Sequence, residues 1–126
     1  KSTDLSPEVL GYGKNYIVLK RLDRNLKEIL STNQINKKMI QSFITFNKKL
    51  DKFRYKHLDK HMENIFWDDK SDSFKIIDWE KTKPQIPKEY NLSDKKYLLL
   101  KADEYAKNLP MITKRMLMLY IKKSID

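Results

Sequence analysis

A chain of 126 residues, 40% hydrophobic and 11% aromatic, has the size and apolar content of one compact domain and is too apolar for wholesale disorder. It holds no Cys and only two Gly, Gly11 and Gly13, which excludes disulfides, Cys-based zinc sites, a thiol nucleophile and any glycine-rich phosphate loop of the Walker or G-x-G-x-x-G kind. The formal charge of +10 comes from 27 Lys+Arg against 17 Asp+Glu, yet only four of the basic residues are Arg and no basic run exceeds two; this scatter argues against nucleic acid as a dedicated partner.

In chain order, Leu5-Ser6-Pro7 and Gly11-Tyr12-Gly13 are turn signals around a short strand at 8–10. Tyr16-Ile17-Val18-Leu19 is β-branched and aromatic and predicts a second strand. Asp23 or Asn25 can cap a short helix carrying Leu26, Ile29 and Leu30. The strongest helical signal runs over 35–55, capped by Asn33 or Asn36, where Ile35, Met39, Phe43, Phe46, Leu50 and Phe53 recur at three- and four-residue steps. A loop over 56–63 follows. Asn64–Trp67 and Phe74–Ile77 then read as a β-hairpin around the polar segment 68–73. Residues 81–92, with Pro84 and Pro87, read as an extended connection. Ser93-Asp94 caps a further helix whose face is Leu98, Lys101, Ala102, Tyr105, Ala106 and Leu109, stopped at Pro110. A last helix over 112–125 carries six successive apolar residues from Met116 to Ile121, more than one core face can take. No apolar run approaches the ~20 residues of a membrane span and no signal-peptide pattern opens the chain, so no membrane partner is expected. Lys1 rather than Met opens the chain, as it would in a processed, tagged or trimmed piece of something longer.

The residues with chemistry to offer are Asp59 in the loop, Asn64 at a strand start and Asp78 just past a strand end. A hairpin after Asn64 returns the chain to its own start and brings Asp78 back beside Asn64. Two oxygen ligands so placed suit a hard cation such as Mg²⁺, and an upstream Asp can orient a hydroxyl toward a metal-held phosphate. Each of the three taken alone also suits an ordinary turn. His57 and His61 stand four apart, but the HExxH glutamate is missing and the context is a loop, which argues against zinc. Trp67 and Trp79 read as core residues.

The pattern His57-x-Asp59-x-His61-x-x-Asn64, followed by Ile76-Ile77-Asp78, resembles the catalytic loop and metal-binding segment of the protein-kinase-like superfamily, H-R-D-x-x-x-x-N followed by D-F-G. The second His and the ending Ile77-Asp78-Trp79-Glu80 resemble more closely the aminoglycoside phosphotransferase and choline kinase branch, and are similar to small bacterial effector kinases. The resemblance implies an α+β, mostly helical fold. Residues 1–22 would be a remnant of the small-lobe strands and hinge, and 23–126 the large lobe. It implies ATP and Mg²⁺ as cofactors. Asp59 would orient the acceptor hydroxyl, His61 would stand near the γ-phosphate, and Asn64 and Asp78 would hold the metal. Leu19 would take the gatekeeper position, Lys20 and Leu22 would belong to the hinge, and Phe66 would floor the adenine pocket, while His57 packs structurally. Leu58 stands where the family carries Arg, and Glu80 where protein kinases carry Gly. The Gly-rich loop and the strand with the phosphate-binding Lys have no counterpart among the 15 residues before Tyr16. They are expected from a longer parent chain, or from a partner subunit or second copy that covers the exposed strand edge at 16–19.

Two functions follow from different classes. One is an ATP- and Mg²⁺-dependent phosphotransferase acting on a hydroxyl of a protein or small molecule, placed in the cytoplasm, or in a host cytoplasm if it is a delivered effector. The other is a catalytically inactive, truncated kinase fold that works as a protein-binding module. Retention of Asp59, Asn64 and Asp78 together favours the first, since a pure scaffold has no need of all three.

Overall fold

The computed structural model describes residues 5–32, 34–105, 115, 118, 119, 121 and 122. Strands β1 (Val9–Tyr12) and β2 (Ile17–Leu19) pair antiparallel as a two-stranded ribbon, with an irregularity between Val9 and Gly11. Gly11 and Tyr12 therefore lie inside a strand rather than in a turn. The reversal falls at 13–16, where Gly13 N–H donates to the Tyr16 carbonyl at 2.9 Å. A Cβ on Gly13 would meet the Tyr16 ring, an exposed side chain that would have to swing aside.

β3 (Arg24–Asn25) leads directly into helix α1 (Leu26–Ser31), which buries Leu26, Ile29 and Leu30. The Asn25 side chain caps it, accepting from Glu28 N–H at 2.8 Å, as its short amide suits it to do. Helix α2 (Lys37–Lys52) starts where Asn36 accepts from Met39 N–H at 2.9 Å. It is shorter than the 35–55 expected, because Phe53 has already turned to extended backbone as its C-cap. The buried face holds Met39, Ile40, Phe43, Ile44, Phe46, Asn47 and Leu50, the expected stripe widened by its i+1 neighbours.

β5 (Ile65–Asp68) and β6 (Ser73–Ile76) form the expected hairpin, with register Ile65↔Ile76, Phe66↔Lys75, Trp67↔Phe74 and Asp68↔Ser73. Asp68 and Ser73 join the ladder, so the loop is only 69–72, with Asp72 in the left-handed region at φ 51°. β3 adds to β5 as the third strand of this sheet. Alternation sends Ile65, Trp67, Phe74 and Ile76 to the core and Phe66 and Lys75 to the opposite face. Phe43 of α2 closes that core, edge-on to Phe74 at 5.5 Å and tilted against Tyr105 at 5.6 Å between ring centroids.

Two stretches expected to be irregular contain strands. β4 (Tyr55–His57) and β7 (Thr82–Pro84) pair antiparallel as a separate two-stranded sheet. Helix α3 (Asp94–Tyr105) buries Tyr97, Leu98, Lys101, Ala102 and Tyr105, and Ser93 Oγ accepts from Lys96 N–H at 3.3 Å at its start. The class is α+β, with more strand than the helix-rich expectation. Of the helix expected over 112–125, residues 115, 118, 119, 121 and 122 are helical, with Ile121 buried and Leu119 exposed; the rest of it lies outside the described residues, as do Asn33, Ala106, Leu109 and Pro110. Among the described residues no helix is long and apolar enough to cross a membrane.

Candidate functional site

The segment 57–64 is stitched to the open end of the β5–β6 hairpin by backbone and side-chain hydrogen bonds. His57, at the end of β4, is buried. Its Nδ1 accepts from Asp59 N–H at 3.0 Å, which leaves the proton on Nε2, 2.9 Å from the Ile77 carbonyl it donates to. Ile77 N–H in turn donates to the Asn64 carbonyl at 3.0 Å, and Asn64 Nδ2 donates to the Asp59 carbonyl at 3.0 Å. Asn64 N–H closes a turn on the His61 carbonyl at 3.0 Å. The chain thus passes from His57 to Asp59 to Asn64 to Ile77 and back to His57 through four hydrogen bonds.

This ring holds Asp59, Asn64 and Asp78 in one neighbourhood. Burial pushes the His57 imidazole below its ordinary value; the Ile77 carbonyl and the Asp59 carboxylate pull it up, Lys60 pushes it down and Asp78 pulls it up. Both carboxylates therefore lie within electrostatic reach of the same ring. Trp79 packs edge-on to the imidazole at 4.8 Å and to Phe53 at 5.5 Å, with its Nε1–H on the Ile76 carbonyl at 3.2 Å. Both Trp67 and Trp79 serve packing, as expected.

The polar atoms turned away from this ring are the ones with chemistry to spare. The Asn64 amide is oriented through Nδ2, which leaves Oδ1 as an acceptor. The Asp59 carboxylate is met by His61 Nε2 at 3.7 Å, with both side chains about one-third exposed. Asp78 is exposed, sits in the left-handed region at φ 65°, and makes no side-chain hydrogen bond or ion pair with a described residue. A non-glycine residue held at positive φ costs free energy that the surroundings must supply. Among the described residues no three His, Cys, Asp or Glu side chains cluster as a metal cage. One amide oxygen and one carboxylate nevertheless fit Mg²⁺, which keeps most of its shell as water and phosphate oxygens.

The hinge candidates lie at the other end of β5. Leu19 ends β2 and is 36% exposed. Lys20 N–H donates to the Glu8 carbonyl at 2.7 Å, while the Leu22 N–H and the Lys20 carbonyl make no backbone hydrogen bond with the described residues. The Lys20 ammonium reaches Asp68 Oδ1 at 3.3 Å. Burial raises the buried Asp68 carboxyl, but hydrogen bonds from Lys20, Ser71 and Lys70 N–H outweigh it and hold it below the ordinary value. Phe66 is half-buried on the face of β5 opposite Trp67, paired with Asn25. Lys27 N–H to the Met62 carbonyl at 3.4 Å connects α1 to the 57–64 segment.

Compared with known proteins, the chain matches no family model, no curated protein and no solved structure. The chemistry of the site rests on its own geometry.

Sequence reasoning passed over a charged cluster behind the same segment. Lys101 on α3 is buried, 2.6 Å from Asp51 Oδ1 and 3.2 Å from Glu104 Oε2, and Tyr97 Oη donates to Asp51 Oδ2 at 2.5 Å. The signal for it was present: Lys101 falls on the apolar stripe of α3, where a lone cation needs a buried partner.

Proposed function

We propose that residues 23–126 are the large lobe of a kinase-like phosphotransferase, with 1–22 as a small-lobe remnant and hinge, and that it uses ATP and Mg²⁺ to phosphorylate a hydroxyl. The observation that carries this reading is the hydrogen-bonded ring of His57, Asp59, Asn64 and Ile77, which leaves the Asp59 carboxylate, Asn64 Oδ1 and the Asp78 carboxylate available together. Asn64 and Asp78 would hold the metal, which when bound neutralises the phosphate oxygens as charge builds on them. Asp59 orients the acceptor hydroxyl; its oxygen bonds to the γ-phosphorus, the bond to the ADP oxygen breaks, and the hydroxyl proton passes to Asp59 or to water. A loose phosphoryl-transfer transition state asks chiefly for alignment, so the contribution of Asp59 is positioning. His61, beside Asp59, would face the transferred group. Leu19, Lys20, Leu22 and Phe66 would border the adenine, with the Leu22 N–H and the Lys20 carbonyl as its polar contacts. A partner subunit or a second copy would cover the free edge of the ribbon.

The inactive binding-module reading is favoured by one observation: β1, the strand described before β2, is Val9-Leu10-Gly11-Tyr12 and carries no lysine to meet a phosphate. Thermal denaturation separates the two. A nucleotide bound with Kd of about 1 mM and supplied at about 10 mM stabilises by about 1.4 kcal/mol, a rise of about 5 °C. The rise is expected when the parent chain or partner that supplies the Gly-rich loop and the phosphate-binding Lys is present, and is absent there in Asp78→Ala. Asp59→Ala is expected to keep the rise and lose phosphoryl transfer from labelled ATP. No rise with those elements supplied decides for the binding module, and transfer surviving in Asp59→Ala overturns the role given to Asp59.

A further inference from the structure

Behind the 57–64 segment, on the side of β4 and β7, lies an open cleft of about 630 Å³ whose lining includes Lys56, Lys60, Lys83, Lys88 and Lys101 against only Asp51 and Glu104. Lys101 is already matched by those two carboxylates. The other four lysines have no carboxylate partner among the described residues, and two observations make this more than a solvated surface. First, Lys56 and Lys83 are register partners across β4 and β7, so like charges stand directly opposite each other, an arrangement that destabilises an antiparallel pair. Second, the Lys60 ammonium is half-buried and makes no ion pair with a described residue. Burial pushes it below its ordinary value and the neighbouring Lys101 adds to that, while Glu104 and Asp51, both already engaged by Lys101, pull it only part of the way back. The fold thus gathers more cations in the cleft than its two carboxylates match.

We propose that this cleft seats the anionic group of the acceptor, and that the acceptor is a small hydroxyl compound bearing a phosphate monoester. A phosphate dianion between Lys56, Lys83 and Lys60 relieves both the cross-strand repulsion and the unmatched buried charge. The cleft volume is that of small-ligand sites, which favours a small molecule over a polypeptide. Its wall includes Leu58 and Lys60, which flank Asp59 in the chain, while Asp59 itself lies outside the wall, so a compound anchored there has to extend past these two residues to present a hydroxyl to that carboxylate. The acceptor role rests on the phosphotransferase reading; the anion site stands on the cleft alone.

The test uses inorganic phosphate as probe, without Mg²⁺ or nucleotide, followed by amide chemical shifts. Saturable shifts are expected at Lys56, Lys60, Lys83 and Lys88. Lys60→Met and Lys83→Gln are each expected to weaken binding at least about five-fold, while Lys37→Gln on the outer face of α2 leaves it unchanged. In phosphate-free buffer Lys83→Gln is expected to melt higher than wild type, since it removes a like-charge pair; a variant that merely fails to fold would melt lower. Shifts scattered over the lysine-rich surface, or binding unaffected by Lys60→Met and Lys83→Gln, overturn the site. A phosphoserine peptide binding about ten-fold tighter than phenyl phosphate overturns the small-molecule assignment. Phosphate binding at the cleft with no transfer to any phosphomonoester from Mg-ATP overturns the acceptor role and leaves the anion site in place.

Discussion

At the scale of single residues, His57 fixes the geometry of the candidate site without offering chemistry of its own. Its two nitrogens are used in opposite senses, Nδ1 as acceptor from Asp59 N–H and Nε2–H as donor to Ile77, and only the neutral ring can do both. Truncation to Ala would leave a half-buried donor and a half-buried carbonyl unpaired, at about 1–2 kcal/mol each, so His57→Ala is expected to lose about 2–4 kcal/mol in urea denaturation. The pH dependence has a definite sign. The folded pKa lies below the ordinary 6.5, so as pH falls the unfolded chain binds the proton first. This contribution is intact above pH 6.5 and is lost as pH drops from 6.5 toward the folded value. Urea titrations at pH 7.5 and 5.5 should show the loss in wild type, and a shallower one in His57→Gln. Stability that rises on acidification over this range, or an equal loss in both proteins, contradicts the assignment.

At the scale of elements, α2 and α3 are joined by two polar contacts about one turn apart: Asp51 with Lys101 and Tyr97, and Asn47 with Tyr105, whose hydroxyl donates to Asn47 Oδ1 at 2.7 Å. Burial and the acidic neighbours raise both tyrosines well above the ordinary phenol value, so these hydroxyls stay protonated donors. Tyr105→Phe is expected to cost about 1–3 kcal/mol, because it strands a buried acceptor. Lys101→Ala is expected to cost about 3–5 kcal/mol, because it leaves the half-buried Asp51 without its cation. Lys101→Met combined with Asp51→Leu is expected to recover much of that loss in chemical denaturation; no recovery would mean that the pair contributes more than mutual neutralisation. Such pairings show why parts of this chain were legible and others not. Elements that bury one face announce themselves by period: the α2 stripe, the β5–β6 hairpin and the capping residues Asn25, Asn36 and Ser93 all follow from local pattern. β3, β4 and β7 have two or three residues each, and β4 and β7 are held by a partner more than twenty positions away, so no local period marks them. Asp59, Asn64 and Asp78 could be singled out by type and spacing, whereas the unmatched lysines of the cleft needed the Lys56–Lys83 register, which exists only once the strands have paired.

At the scale of the whole molecule, cohesion is unevenly distributed. The core described by Phe43, Phe74, Ile65, Ile76 and Leu98 is shared by α2, α3 and the β5–β6 hairpin. The β1–β2 ribbon stands largely outside it: Leu10, Tyr12, Tyr16, Ile17, Val18 and Leu19 are all exposed. Among the ties that run from its ends to the body are the buried Leu5 side chain, the Ile76 N–H to the Leu5 carbonyl at 2.6 Å and the Lys20–Asp68 ion pair at 3.3 Å. A two-stranded ribbon is at best marginally stable by itself, and segments with few buried apolar contacts open locally at a small fraction of the global free energy. Native-state hydrogen exchange should therefore give Ile17, Val18 and Leu19 opening free energies of about 0–2 kcal/mol, while Ile65, Trp67 and Phe74 exchange near the global value. Asp68→Asn, which weakens the tie at one end of the ribbon, should lower protection at 17–19 further and leave the hairpin unchanged. If nucleotide binds between the ribbon and Phe66, Mg-ATP should raise protection at 17–22 first, because that is where stability is lowest and ordering has most to add. Equal protection of ribbon and hairpin in the free chain would mean that the exposed face of β2 is already covered in solution.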